Sequence, residues 1–313
     1  MRKLILIDGN ALLHRAYHAY PPLSTPKGEL VNAVYGFSSM LLSVLEKLSP
    51  THVAVAWDLK GPTFRKQEFE DYKANRDPMD EDLATQIDRT KEVVEKLNIP
   101  QYGIEGFEAD DIIGTISRLA FERTQELKNS RTQDEDTQVV IVTGDRDSLQ
   151  LIKGKKVVVY LPIQNHHGQS VVFDEDKVRE VYGLNPKQII DLKSLMGDAS
   201  DNIPGVKGVG RVTATKLIQE FGNLENIYKN INDIKITPRV KAMLSSDKEM
   251  AEKSFHLAEI NCDVQLKLDW DDCLLTNYDK NGALSLFEEL NFKSLISKLP
   301  KDSWEKEIQD IFI

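Results

Sequence analysis

Nine carboxylates stand at five places along the chain where packing alone explains acidic residues poorly. Three short apolar runs, Leu4 to Ile7, Val53 to Trp57 and Val139 to Val142, each lead into aspartate: Asp8, Asp58, and Asp145 with Asp147 two residues on. The fourth place holds Glu108, Asp110 and Asp111 ahead of the apolar stretch Ile112 to Phe121, and the fifth holds Asp198 and Asp201. Taken singly, an aspartate after a strand starts a turn or caps a helix, and acid before a helix is favoured by its dipole. Those roles account for one or two of the acids at 108–111. Three carboxylates in four residues repel one another unless they are exposed or hold a cation. Asp198 and Asp201 close a helical pattern over residues 186–196, the end of a helix where aspartate is disfavoured. A compensating partner is expected there, a cation first of all. Carboxylate and water are the ligands that hard cations such as Mg²⁺ and Mn²⁺ take. An all-oxygen cluster suits two-metal phosphoryl chemistry, in which one ion lowers the pKa of the attacking water and both stabilise the attacking and leaving oxygens. The histidines do not join the pattern: His14 and His18 flank a helix start, and His166 and His167 sit in a polar loop.

Elements that bring such residues together are legible in the same runs. The three apolar runs are too short for helices and rich in β-branched residues, so they read as buried strands. Residues 31–48 and 83–97 carry apolar positions at three and four spacing, and this alternation predicts an α/β unit, a mostly parallel sheet with helices on both faces. In such sheets ligands sit outside the carboxyl ends of the strands, where Asp8, Asp58, Asp145 and Asp147 fall. Val157 to Leu161 reads as a further strand. From residue 174 to 300 the pattern is almost entirely helical, so the expected division is an α/β domain over 1–173, a helical domain over 174–300 and a tail over 301–313, of which Trp304 to Ile313 is amphipathic. The polar stretch 122–138 reads as a helix running on into a surface loop, with no chemistry assigned.

Composition narrows the function classes. The chain has 313 residues, 41% hydrophobic and 29% charged, enough for one large or two packed domains. No apolar run approaches the roughly 18 residues of a membrane span, and the N-terminal apolar stretch stops after four residues at Asp8, too short for a signal peptide. A cytoplasmic location without membrane contact is therefore expected. Two cysteines, Cys262 and Cys273, make neither a disulfide framework nor a zinc site. The net charge of −10 argues at first sight against nucleic acid, but bound divalent ions offset part of it and local basic stretches can still face DNA.

Two such stretches exist. Ile203 to Gly210, with Gly205, Gly208 and Gly210, is a tight turn followed by a helix start at Arg211 to Lys216. It lacks the GKS or GKT of a Walker loop and follows no strand. Glycines that allow close backbone approach, with Lys207, Arg211, Thr213 and Lys216 at a helix N-terminus, suit sequence-independent phosphate binding and read as a helix-hairpin-helix DNA clamp. The second stretch interleaves Phe64, Arg65, Lys66, Phe69, Tyr72, Lys73 and Arg76, a mix suited to stacking bases and gripping the phosphates of a single strand. Arg15, beyond Asp8, is a further candidate for phosphate contact.

Read in order, these motifs resemble one family, the 5′ nuclease domain of bacterial DNA polymerase I with the related phage and bacterial flap endonucleases. The likeness covers nearly the whole chain. It runs from Leu-Ile-Asp8-Gly-Asn and Arg15-Ala-Tyr17-His18 through Phe64-Arg65 and Tyr72-Lys73-x-x-Arg76. It continues through Glu108-Ala-Asp110-Asp111, Thr143-Gly-Asp145-x-Asp147 and Gly197-Asp198-x-Ser-Asp201-Asn-Ile-Pro-Gly to Gly205-x-x-Gly-Val-Gly210. The resemblance implies a resolvase-like (PIN-like) α/β domain before the helical domain, Mg²⁺ or Mn²⁺ dependence, and removal of 5′ flaps and RNA primers in replication and repair. It implies one metal environment at Asp8, Asp58, Glu108, Asp110 and Asp111, and a second at Asp145, Asp147, Asp198 and Asp201. Lys73 and Arg76 match arch residues that meet the scissile phosphate, with Tyr72 stacking on a base and Arg65 among the DNA contacts. It further implies a K⁺ ion on the clamp carbonyls, a monomer, and a polymerase acting in cis or in trans. Three competing readings fit less well. A catalytically silent DNA-structure binder should lack part of the acidic set. An aspartyl phosphatase needs Asp where Asn10 stands, and a small acidic ribonuclease does not explain the helical domain.

Overall fold

In the computed structural model, residues 2–129, 137–162, 170–233, 235–275 and 278–301 are described. The carboxyl-terminal stretch from Trp304, the histidine pair at 166 and 167, and part of the 122–138 stretch lie outside them. The strands are β1 (Arg2–Asp8), β2 (His52–Ala56), β3 (Gln101–Tyr102), β4 (Thr137–Val142), β5 (Val157–Leu161) and β6 (Val171–Phe173). They form one sheet in the order β3-β2-β1-β4-β5-β6, parallel except for the β5–β6 pair. The helices are α1 (Gly9–Ala19), α2 (Asn32–Leu48), α3 (Phe64–Glu68), α4 (Glu81–Ala84), α5 (Ile87–Lys96), α6 (Ala109–Asn129), α7 (Glu175–Tyr182), α8 (Gln188–Met196), α9 (Arg211–Phe221), α10 (Leu224–Lys229), α11 (Pro238–Ser246), α12 (Lys248–Ala258), α13 (Lys280–Glu289) and α14 (Lys293–Ile296).

Period-two alternation splits the sheet into two apolar faces, because successive strand side chains point opposite ways. Ile5, Ile7, Val53, Val55, Val140 and Val142 face one core with α1, α2 and α5. Leu4, Leu6, Ala54, Ala56, Val139 and Ile141 face a second core under α6. A third core, with Leu192, Leu195, Val206, Val209, Leu217 and Ile218, belongs to the helical unit. All four expected strands are present, and α6 carries the helix on as far as Asn129.

The chain does not stay in the helical unit as far as residue 300. After α12 it returns to the first unit: Val53 N–H donates to Cys273 O at 2.8 Å, and Ile260 and Cys273 join the α6 core. Leu286 and Phe287 of α13 and Phe292, which caps α14, fill the α2 and α5 side. Both cysteines are unpaired, as expected. Among the described residues no helix is long and apolar enough to cross a membrane.

Candidate metal centre and DNA clamp

Strand register sets the first carboxylates side by side. Asp8 ends β1 opposite Ala56, and Ile7 pairs with Val142, so Asp8, Asp58 and Asp145 all lie just past the carboxyl edge. The order of strands reverses between β1 and β4, where crevices form in such sheets. Asp8 caps α1, accepting from Ala11 N–H at 2.9 Å and from the Thr143 hydroxyl at 2.8 Å. Asp58 Oδ1 accepts from Ala109 N–H at 2.7 Å, joining the β2 edge to the start of α6. Asp145 accepts from Asp147 N–H at 2.8 Å, and Asp110 from the Ser148 hydroxyl at 3.2 Å. Both strand-end aspartates thus hold the capping roles that a helix start asks for and still face one cleft. That cleft, of about 940 Å³, is lined by Asp8, Asp58, Glu108, Asp110 and Asp145 together with Lys73 and Arg76. A larger cleft of about 1110 Å³ lies between α6, α8 and α12. Several of its charges are already paired, Arg118 with Glu122, Lys229 with Glu225 and Lys248 with Glu252, and the strand-end acids Asp8, Asp58 and Asp145 all line the smaller one.

Charge in the smaller cleft is unbalanced. Burial, then the neighbouring Asp58 and Asp145 charges, push the Asp8 carboxyl up to about 7, against its hydrogen bonds. Burial and the charges of Asp145, Asp8 and Asp147 hold Asp110 well above the usual carboxylate range. Asp147 is raised to about 7 by burial and Asp145 although Lys193 opposes it. Asp198 goes the other way: burial works to raise it, but the Lys193 ammonium and the Ser200 donors outweigh that and hold it at about 2. The same lysine meets both acids, and the deeper burial of Asp147 together with its acidic neighbour decides the difference.

Lys193 was not among the residues singled out from the sequence. It lies on α8, five residues before Asp198, and its Nζ donates to both Asp147 and Asp198. The partner expected for an aspartate at that helix end is thus, in this structure, a lysine. Glu108 is held by Lys73 at 2.7 Å, and Asp201 by Arg76 at 2.5 Å. As arranged, no three acidic, histidine or cysteine side chains among the described residues close on one point to enclose an ion. The donor set nevertheless fits hard divalent cations, being all oxygen and carrying acids whose mutual repulsion a cation would relieve.

Three expectations are corrected by burial. Asp111 is fully buried, and both its oxygens are spent: Oδ1 accepts from Arg65 Nη2 and Asn261 N–H, Oδ2 from Arg65 Nη1 and Glu108 N–H, all at 2.7–3.0 Å. A carboxylate has about four lone-pair sites, so none remains for a metal. Arg65, only 3% exposed, also donates to the Leu257 and Glu259 carbonyls and cannot reach DNA. Tyr72 is 4% exposed, its hydroxyl 3.2 Å from both Glu108 and Asp201, so its ring is packed rather than offered to a base. Arg15 is half-buried on α1, and His14 rather than Arg15 lines the cleft.

The glycine-rich turn joins α8 to α9, a tight turn before a helix as expected. Gly205 has φ +63°, and a Cβ there would lie 2.2 Å from the Gly197 backbone nitrogen, so the two limbs of the turn can touch only because both are glycine. Val206 N–H donates to Leu195 O, Gly205 N–H to the Ser254 hydroxyl and Lys207 N–H to Asp247. Gly210 caps α9. Lys207, Gly208, Gly210, Arg211 and Lys216 are exposed and Thr213 half-buried, around the start of α9, where free backbone amides favour an anion.

Residues 3–183 match the 5′-3′ exonuclease N-terminal resolvase-like domain, and residues 184–281 the 5′-3′ exonuclease C-terminal SAM fold. The chain belongs to the 5′-3′ exonuclease family. It is 40% identical over 297 residues to DNA polymerase I of Caldicellulosiruptor bescii, covering 95% of this chain and 33% of that one. To DNA polymerase I of Bacillus caldotenax it is 39% identical over 307 residues, covering 98% and 33%. The chain thus spans about a third of the length of these relatives. Among solved structures, T5 5′-exonuclease with bound zinc aligns with TM-score 0.63 at 22% identity, covering 95% of this chain and 99% of that one. The bacteriophage T5 D15 flap endonuclease, in a complex with DNA and metal ions, aligns with TM-score 0.64 at 22% identity, covering 93% and 100%. At that identity the two structures speak for the fold: a resolvase-like, mostly parallel sheet followed by a helical unit.

Proposed function

We propose that the chain is a structure-specific 5′ nuclease, hydrolysing DNA phosphodiester bonds at 5′ ends and flap junctions with two divalent cations, Mg²⁺ or Mn²⁺. The observation that carries the reading is the meeting of Asp8, Asp58, Glu108, Asp110 and Asp145 in one cleft with Lys73 and Arg76. The first cation is assigned to Asp8, Asp58, Glu108 and Asp110, the second to Asp145, Asp147, Asp198 and Asp201. Bound there, such ions lower the pKa of the attacking water and stabilise the attacking and leaving oxygens.

The chain's own residues orient and neutralise. Lys73 and Arg76 now rest on Glu108 and Asp201. Once those acids are compensated, the ammonium and guanidinium, both on the cleft, become available as donors to the scissile phosphate. Arg15 adds a cation on the α1 side. The clamp amides and Lys207, Arg211, Thr213 and Lys216 hold duplex phosphates without reading bases, with a K⁺ ion on the turn carbonyls as a further element. RNA primers as substrates, a polymerase in cis or in trans, a monomeric state and a cytoplasmic location complete the proposal.

A 5′-labelled flap duplex tests it. Cutting near the junction is expected with Mg²⁺ and none with EDTA. Normal binding without cutting, under either Mg²⁺ or Mn²⁺, would instead favour a non-catalytic DNA-structure binder. The clamp has its own expected outcome: replacing Lys207, Arg211 and Lys216 together by Ala should weaken flap binding alike for all sequences. Anisotropy titrations in EDTA across a salt series should show the slope of log K against log salt shrink by roughly 0.9 for each phosphate that the variant no longer neutralises. An unchanged slope would remove the clamp from the DNA-binding surface.

A further inference from the structure

The segment carrying Lys73 and Arg76 is tied to the loop carrying Asp198 and Asp201 by a set of bonds that neither the carboxylates nor the two cations require. Asp198 and Ile203 pair antiparallel, closing a loop over residues 198–203. Three consecutive carbonyls of that loop accept from the basic segment. Ala199 O accepts from the Asn75 side-chain amide at 2.7 Å, Ser200 O from Arg76 Nε at 3.3 Å, and Asp201 O from Lys73 N–H at 2.9 Å. The loop answers with the Asn202 side-chain amide, which donates to Asp71 O at 2.7 Å. Two asparagines, one on each segment, thus clasp the other segment's backbone.

The clasp adds main-chain ties to a segment otherwise held at the site by the Tyr72 hydroxyl and by the Lys73–Glu108 and Arg76–Asp201 ion pairs. Ala74, Asn75 and Arg76 are exposed, and between the short helices α3 and α4 the segment holds itself by turn bonds such as Ala74 N–H to Asp71 O. Tyr72 is its buried anchor, packed with Ile203 and Leu257. Lys73 and Asn202 both adopt left-handed backbone, φ +53° and +55°, which lysine in particular disfavours and which the Lys73 N–H bond to Asp201 O helps to hold. The loop at 198–203 runs directly into the glycine-rich turn at Gly205, so these amides connect that turn to Lys73 and Arg76.

We propose that Asn75 and Asn202 are positioning residues for phosphodiester cleavage, fixing Lys73 and Arg76 over the carboxylate cleft, beside Glu108 and Asp201, once the clamp has engaged duplex DNA. This rests on the nuclease reading above. Losing the clasp leaves two long cations mobile over the site, a loss of orientation rather than of affinity.

The test uses single-turnover cleavage of the flap duplex by the full chain, beside its binding in EDTA. Asn75→Ala and Asn202→Gly are each expected to slow cleavage by about 10- to 100-fold, the scale of a misplacement near 1 Å, with flap Kd little changed. Glycine at 202 accepts the left-handed backbone without strain while removing the side-chain donor to Asp71 O. In a Lys73→Ala, Arg76→Ala background the same substitutions should cost almost nothing further, because coupled residues are non-additive. Cleavage at the wild-type rate, or losses that simply add and track a lowered Tm, would overturn the positioning role while leaving the nuclease reading intact. Failure of the wild-type chain to cut at all would overturn both.

Discussion

Asp110→Asn is expected to move activity and stability in opposite directions. Cleavage of the flap duplex should fall by about 10²–10³-fold or more, the scale of removing one group that stabilises transition-state charge, while the metal-free protein becomes more stable above neutral pH. The sign follows from the raised carboxyls. Burial and mutual repulsion bring Asp8 and Asp147 to about 7 and hold Asp110 well above its ordinary range. Groups raised on folding contribute stability that is fully present below their unfolded value, about 3.9, and is lost as pH rises through the folded value. In EDTA the wild-type chain should therefore lose stability between roughly pH 4 and pH 7, and Asp110→Asn should flatten that fall. Mg²⁺ should restore the wild type through binding to the folded state and do much less for the variant. Tm measured in EDTA at pH 5 and pH 8, then with Mg²⁺, decides it. A variant less stable than wild type at pH 8 in EDTA would show that acidic repulsion does not govern this cleft.

The strand-end acids were legible because two local rules converge on them. Alternating or continuous apolar runs fix the strands, and parallel topology sends every carboxyl end to one edge, so Asp8, Asp58 and Asp145 needed no long-range information to be grouped. The tight turn before α9 was legible for a similar reason, since Gly205, Gly208 and Gly210 mark a close backbone turn, while the contact that Gly205 makes with Gly197 is visible only in the structure. Residues whose roles depend on distant partners were not. Phe64, Arg65, Phe69 and Tyr72 read as a basic and aromatic grip on single-stranded DNA, yet Arg65 and Tyr72 turn inward. The groups that take them in, the Leu257 carbonyl and Asp201, lie more than a hundred residues away.

Lys193 marks the other limit. An aspartate at a helix C-terminus calls for a positive partner; a metal is the first expected from the sequence, and Lys193, five residues earlier on the same helix, supplies one in this structure. Its reach to Asp198 was within the grasp of the sequence, but its simultaneous contact with Asp147 required the packing of α8 against the turn after β4. The return of the chain to the α/β unit was similarly hidden. Leu286, Phe287 and Phe292 announce an apolar face, but periodicity does not say which core that face enters.

Arg65 and Asp111 set the largest expected loss of stability. Their bidentate pair is buried on both sides, and it joins three elements: α3 at the root of the basic segment, the first turn of α6, and the end of α12 through the Leu257 and Glu259 carbonyls. Removing one partner leaves an uncompensated charge with its remaining donors or acceptors unmet, a cost of about 3–5 kcal/mol. Asp111→Ala and Arg65→Leu should each lower the unfolding free energy from urea titration by that much. The combined Arg65→Met, Asp111→Leu variant should lose less than the two losses summed, because neither charge is then stranded. DNA binding by whatever fraction stays folded should be unaffected, since neither side chain reaches the surface. The same measurement separates this brace from a metal-ligand role for Asp111. A variant Asp111→Ala that unfolds at the wild-type urea concentration but no longer binds Mg²⁺ would return that carboxylate to the metal centre, and its four hydrogen bonds would then not be what fastens α3 and α12 to α6.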